Sequence, residues 1–252
     1  MNLLADPVTL AVLVIAVILL GMAKGGLSGI GALATPLVAL VLAPTIAAAL
    51  LLPILIVQDI VSVWAFRRTW DGWIVAWMLP GAASGIAAAW YFADQVNEAR
   101  LMAALGAITL AFGVYRLWVE RGGRIVAASR SRGWVGSLFG VATGFTSQIA
   151  HAGGPPFQMW VTPRQLPHLM FVGTSSVLFA IINWMKVPAY LALGAFRRDV
   201  VVAALLLMPL AIVSTLLTVR WLKRIDGARF YTLIYLLMVL LGAKLFWEGL
   251  AG

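Results

Sequence analysis

Gly21-Met22-Ala23-Lys24-Gly25-Gly26-Leu27-Ser28-Gly29-Ile30-Gly31 interrupts a long apolar stretch and is followed by Thr35-Pro36. A second interruption reads Gly144-Phe145-Thr146-Ser147-Gln148-Ile149-Ala150-His151-Ala152-Gly153-Gly154-Pro155-Pro156. Glycine permits sharp backbone turns and proline lacks an amide donor, so both stretches read as breaks between helical pieces. The piece after the second break, Gly153–Val161, covers only about half of a ~30 Å bilayer core as helix. Each break is therefore expected to sit at the tip of a broken or re-entrant hairpin. Non-helical backbone at membrane depth is tolerated where protein buries it or where it lines a cavity.

Outward from the breaks the chain is apolar almost throughout. Of 252 residues, 63% are apolar and 11% are charged. A soluble domain carries about a quarter charged residues to cover its surface, so lipid must cover this one. Apolar segments are expected at Pro7–Ala23, Leu27–Ala43, Thr45–Phe66, Trp73–Phe92 and Leu101–Val119. They recur at Trp134–Ile149, Gly153–Val161, Leu169–Leu193, Val200–Val219 and Phe230–Leu250, with a polar link at Thr162–Pro167. Met1 to Pro7 contains no Lys or Arg, so the first segment is expected to stay as structure rather than act as a cleaved signal. Trp70, Trp73, Trp90, Trp118, Trp134, Trp221 and Trp247 fall near segment ends, as in interfacial aromatic belts.

The ten pieces form two sets of five. Ala65-Phe66-Arg67-Arg68 recurs as Ala195-Phe196-Arg197-Arg198, and Ala99-Arg100 as Ala228-Arg229. Gly113 and Trp118 recur as Gly242 and Trp247, and Gly21 and Gly31 align with Gly144 and Gly154. The shared order and nearly constant offset indicate an internal repeat. The expected architecture is an all-α, polytopic transmembrane bundle of two repeats, 1–119 and 134–252, joined by a basic cytoplasmic linker, 120–133. If each hairpin goes in and out, the second half is inverted. One side then collects Lys24, Arg67, Arg68, Arg116, Arg121, Arg124, Arg130, Arg132, Arg164, Arg220, Lys223, Arg224 and Arg229. The other side holds Arg100, Arg197, Arg198 and Lys244. That asymmetry follows the positive-inside rule and places both termini outside. It also accounts for the net charge of +9 without nucleic acid as a partner.

Breaks in matching segments of two halves point to a transporter's binding site, where half-helix amides favour anions. The candidate substrate-binding residues are Lys24, Gly25, Gly26 and Ser28 at the first tip, and Ser147, Gln148, His151, Gly153 and Gly154 at the second. Gln158 follows within two helical turns. Asp59 and His151 are candidates for a coupling proton, because ionisable groups inside a membrane are functional by default. Each has a plainer reading. Lys24 could reach the interface, His151 could be a packed ring, and Asp59 could pair with Lys24 or Lys186. Gly136, Gly140 and Gly144 read as a small-residue packing run, Asn183 as a bond across helices, and Lys186 as a residue near an interface.

Enzymatic readings have less to stand on. Gly26-Leu27-Ser28-Gly29 matches the short pattern of an intramembrane serine protease, with His151 as base, but the repeat makes Ser28 and His151 equivalents rather than partners. No cysteine, metal motif or phosphate loop is present, so no cofactor, metal site or catalytic residue is expected. A non-transporting assembly role leaves the duplicated polar breaks unexplained. A homodimer through exposed helix faces is a further expectation.

At these residues the chain resembles a known family. The run Gly21 to Pro36, its echo Gly144 to Pro156, and the Arg67-Arg68…Asp71 loop are similar to the TauE/SafE family of sulfite and organosulfonate exporters. The resemblance covers essentially the whole chain. It implies a bacterial inner-membrane permease for small sulfur-containing anions, working in export.

Overall fold

Local signals set where the helices begin. The Asp6 carboxylate accepts bonds from the Thr9 amide (2.8 Å) and hydroxyl (2.6 Å), and Pro7 opens the first helix, where a missing amide costs nothing. The Thr9 hydroxyl bond, with the amide behind it, holds the Asp6 carboxyl below its ordinary pKa. Asn97 caps the fifth helix in the same way through the Arg100 amide (2.9 Å).

The computed structural model describes residues 3–27, 29–93, 96–123, 131–221 and 228–251. Among them are ten α-helices and two 3₁₀ turns, and no strand. The first half holds α1 (Pro7–Lys24), α2 (Ala34–Val38), α3 (Pro44–Phe66), α4 (Gly72–Ala93) and α5 (Glu98–Glu120). The second holds α6 (Gly133–Ala150), α7 (Gly154–Val161), α8 (His168–Ala192), α9 (Arg198–Trp221) and α10 (Ala228–Ala251). Among the described residues, seven helices are long and apolar enough to cross a membrane. They are α1, α3, α4, α5, α8, α9 and α10. The α6 helix has 18 residues but carries Ser137, Thr143, Thr146, Ser147 and Gln148, which lower its hydropathy.

The apolar run Leu27–Ala43 does not form one helix. It yields a 3₁₀ turn, Ile30–Leu33, and the five-residue α2, about 7 Å of rise. The reason is local. Gly26 (φ 122°) and Gly29 (φ 99°) turn the chain through left-handed backbone that other residues rarely adopt. The eight-residue α7, about 12 Å long, is the matching short return in the second half. Beyond it Arg164 lies over the rings of Trp73 (4.8 Å) and Trp160 (4.2 Å) and donates to the Ser131 carbonyl (2.9 Å). The polar link is thereby tied to the neighbouring helices.

The two halves pack by exchange. The α4 helix runs parallel to α6, with Gly81 and Gly85 against the backbones of Ser137 and Val141. Correspondingly, α9 runs parallel to α1, where Gly21 and Gly25 meet Ser214 and Thr218. Gly144 lies on the Ala82 backbone, so the Gly136-Gly140-Gly144 run does include packing glycines. The equivalent pair α5 and α10 is antiparallel, with Gly106 against Phe246 and Gly249 against Ala103. The other equivalent pair, α3 and α8, also runs antiparallel, as the contacts below establish.

Burial separates centre from periphery. The α3 window is 61% buried and packs in one cluster with α1 and α9, whereas the α5 window is 28% buried. A second cluster joins α4, α7 and α8 around Met78, Phe157 and Trp160. The seven tryptophans assigned to interfacial belts are all exposed.

Candidate functional site

The α3 and α8 helices bring polar side chains into the apolar centre. Ser62 and Ser176 hydroxyls lie 2.6 Å apart, and the Asp71 amide donates to the Thr174 hydroxyl at 2.9 Å. One turn deeper, Asp59 is 1% exposed and accepts from the Asn183 side-chain amide at 2.6 Å. The other Asp59 oxygen receives the Lys24 ammonium in an ion pair. Lys24 also lies over the Phe179 ring at 5.4 Å. Of the two plainer readings of Asp59, the Lys24 pair is the one formed.

Lys186 corrects its sequence reading as an interfacial residue. It is 0% exposed, because α8 places it one turn beyond Asn183 on the buried face. Its ammonium donates to the Ser147 carbonyl (3.2 Å), the Ser147 hydroxyl (3.2 Å) and His151 Nδ1 (2.7 Å). Three donors meet three acceptors, so the hydrogen bonds are complete, yet no carboxylate pairs with it among the described residues. His151 caps α6 in left-handed backbone (φ 51°), which aims its ring back across the bundle. With Nδ1 accepting from Lys186, Nε2 carries the hydrogen and donates to the Ala48 carbonyl at 2.8 Å. Both ring nitrogens are thus engaged in hydrogen bonds.

Several of these groups line a partly open cavity of about 90 Å³. Lys24, Gly29 and Gly31 face it from the first break, and Ser147, His151 and Gly154 from the second. Ser176, Asn183 and Gln158 complete its polar wall. The tips approach from opposite ends. His151 bonds at Ala48 and Lys24 at Asp59, which are separated by about 16 Å of α3 at 1.5 Å per residue. Lys24 and Asp59 balance each other as an ion pair, and the Lys186 amine stands behind Ser147 and His151.

Other sequence candidates fall elsewhere. Gly25 packs against Thr218 of α9, and Gly26 supplies a turn. Gly153 lies between the Thr143 carbonyl and the Phe179 ring. The Gln148 carbonyl accepts from the Tyr190 hydroxyl (3.0 Å), and its side chain does not line the cavity. Ser28, Arg124, Arg130, Lys223 and Arg224 lie outside the described residues. Lys186 and Phe179 were missed as site residues. A lysine within an apolar segment was a usable signal for the first, while nothing marked Phe179.

The fold and this site define a polytopic helical membrane protein with a polar cavity between two broken hairpins. A family model described as sulfite exporter TauE/SafE matches residues 13–245, and the chain belongs to that family. No curated protein and no solved structure matches it.

Proposed function

We propose that the protein is a secondary transporter that exports a small sulfur-containing oxyanion, sulfite or an organosulfonate, across a bacterial inner membrane. The observation that carries this reading is the cavity at the two breaks, lined by Lys24, Ser147, Gln158 and Asn183 among apolar side chains. A monoanion there would be attracted far more strongly than in water, because the local dielectric is low. Lys24 supplies a cationic group at the cavity wall, the Ser147 hydroxyl and the Gly154 backbone supply polar contacts, and Lys186 holds Ser147 and His151 from behind.

The two halves are read as inverted repeats. Support comes from the antiparallel course of α3 against α8 and of α5 against α10, since equivalent helices run in opposite directions. The basic linker then faces the cytoplasm and both termini face outward. Alternating access would rock one half against the other around the cavity. A coupling proton would ride on Asp59, which can exchange Lys24 for a proton, or on His151.

The test is flux of sulfite and of a short alkylsulfonate in proteoliposomes, with and without a pH gradient. Saturable flux in the parent protein, lost in Lys24→Ala and His151→Ala variants that still insert and fold, is the expected result. Parent-like flux in both variants would remove the site assignment. Absence of flux with every sulfur anion would remove the substrate assignment.

A further inference from the structure

Arg116 lies on α5, the helix that leads into the basic linker, and no motif marks it. Its guanidinium is half-buried over the Tyr235 ring at 4.9 Å. Its Nη1 donates to the Gln158 side-chain oxygen at 3.3 Å. Its Nε is buried without a hydrogen-bond partner, and it forms no ion pair among the described residues. Glu120, one turn along, receives the Thr232 hydroxyl instead (2.9 Å). A guanidinium in so apolar a place, without a carboxylate, is costly unless its field is used.

Gln158 shows where that field goes. It is 5% exposed and lines the cavity. Because Arg116 can only donate, the Gln158 oxygen must face it, and the orientation of the amide is fixed. The NH₂ end then points into the gap between the breaks. It lies 3.6 Å from where a Cβ on Gly29 would stand and 4.0 Å from that of Gly154. The side-chain amide of α7 thus aims its donors at the place where the two tips meet the cavity, with a cation behind it.

We infer that Gln158 and Arg116 form a second anion-binding element of the cavity. Gln158 donates an N–H to an oxyanion oxygen between Gly29 and Gly154. Arg116, a positioning residue, holds that amide in the donating orientation and adds positive potential on the linker side. Lys24 and the Lys186–His151 pair serve the anion's other oxygens. The inference deepens the proposed transport of an oxyanion and rests on that reading for its ligand class.

The experiment uses purified full-length protein and the Arg116→Gln, Arg116→Lys and Gln158→Leu variants, with the Arg116→Gln/Gln158→Leu double variant. Two readings are taken: sulfite KM and maximal flux in proteoliposomes, and the melting-temperature rise given by sodium sulfite over sodium chloride at equal ionic strength. Losing one bond to a charged ligand predicts a KM rise of about tenfold in Arg116→Gln and in Gln158→Leu, with maximal flux within about twofold. Because the two act as one unit, the double variant should be no worse than either single variant. Arg116→Lys keeps the charge but not the fork and should fall between. Parent-like KM in both single variants, or effects that multiply in the double variant, would overturn the inference. If the parent transports no sulfur anion but sulfite stabilises it through Arg116 and Gln158, the anion element stands and the transport reading fails. If sulfite stabilises no form of the protein, the element falls as well.

Discussion

The two breaks occupy equivalent places in the halves, yet they bring charge to the cavity by different routes. The first carries its own cation, Lys24, and α3 answers with Asp59, so the charge is matched within the first half. The second carries a neutral ring, His151, and takes its cation from Lys186 of α8, with no carboxylate in return. Backbone turning differs as well. Positive-φ glycines turn the first break, whereas His151 itself adopts the left-handed cap in the second, three residues before α7 begins. The first break thus ends in a lysine–aspartate ion pair and the second in a lysine–histidine hydrogen bond.

If this contrast is right, removing Asp59 is the most damaging single change. Asp59→Leu would leave Lys24 without its carboxylate and Asn183 without its acceptor, a loss of about 3–5 kcal/mol as for other broken buried pairs. The check is the melting temperature and the yield of folded protein, with the Lys24→Met/Asp59→Leu double variant expected to recover much of the stability but not transport. Recovery of neither would mean that Asp59 serves Asn183 and the α3–α8 contact more than Lys24.

The glycine contacts sharpen the comparison at intermediate scale. Gly144→Ala would drive a methyl into the Ala82 backbone, which cannot move aside. Gly25→Ala meets the Thr218 Cβ, which no rotamer change moves, with the Val219 amide behind it. Overpacking costs of about 1–3 kcal/mol are expected for both variants, read from chemical or thermal unfolding in detergent. A much smaller cost for either would show that its seam, α4–α6 or α1–α9, yields by shifting the helices apart.

His151→Gly separates ring from backbone. Relief of the left-handed cap would offset about 1 kcal/mol of what the lost ring bonds contributed, so stability should change little. Flux should nevertheless disappear. A His151→Gly variant that transports normally would reduce the second tip to a turn.

Lys186→Met is expected to cost less than Asp59→Leu, because relief of a buried amine without a carboxylate partner offsets part of what its hydrogen bonds to Ser147 and His151 contribute. A loss of about 1–2 kcal/mol in unfolding is expected, below the Asp59 result. A loss as large as that of Asp59→Leu would make Lys186 the main strut holding Ser147 and His151.

Much of this was readable in the chain. Long apolar segments and glycine breaks determined an all-helical membrane protein, because lipid exposure and helix length are local properties of sequence. The helix at Leu27–Ala43 was misjudged in extent, since hydropathy does not register the left-handed turns at Gly26 and Gly29. Charge partnership was not readable at all. Asp59 could have joined Lys24 or Lys186, and Lys186 had the sequence context of an interfacial residue. Those questions depend on which helix faces meet and at what register, and so on α3 crossing α8 antiparallel. Sequence alone determined the class, the breaks and the family resemblance. Only the tertiary structure decided that Lys24 is matched and Lys186 is not, because a buried charge gains a partner only from side chains that packing brings within a few ångströms.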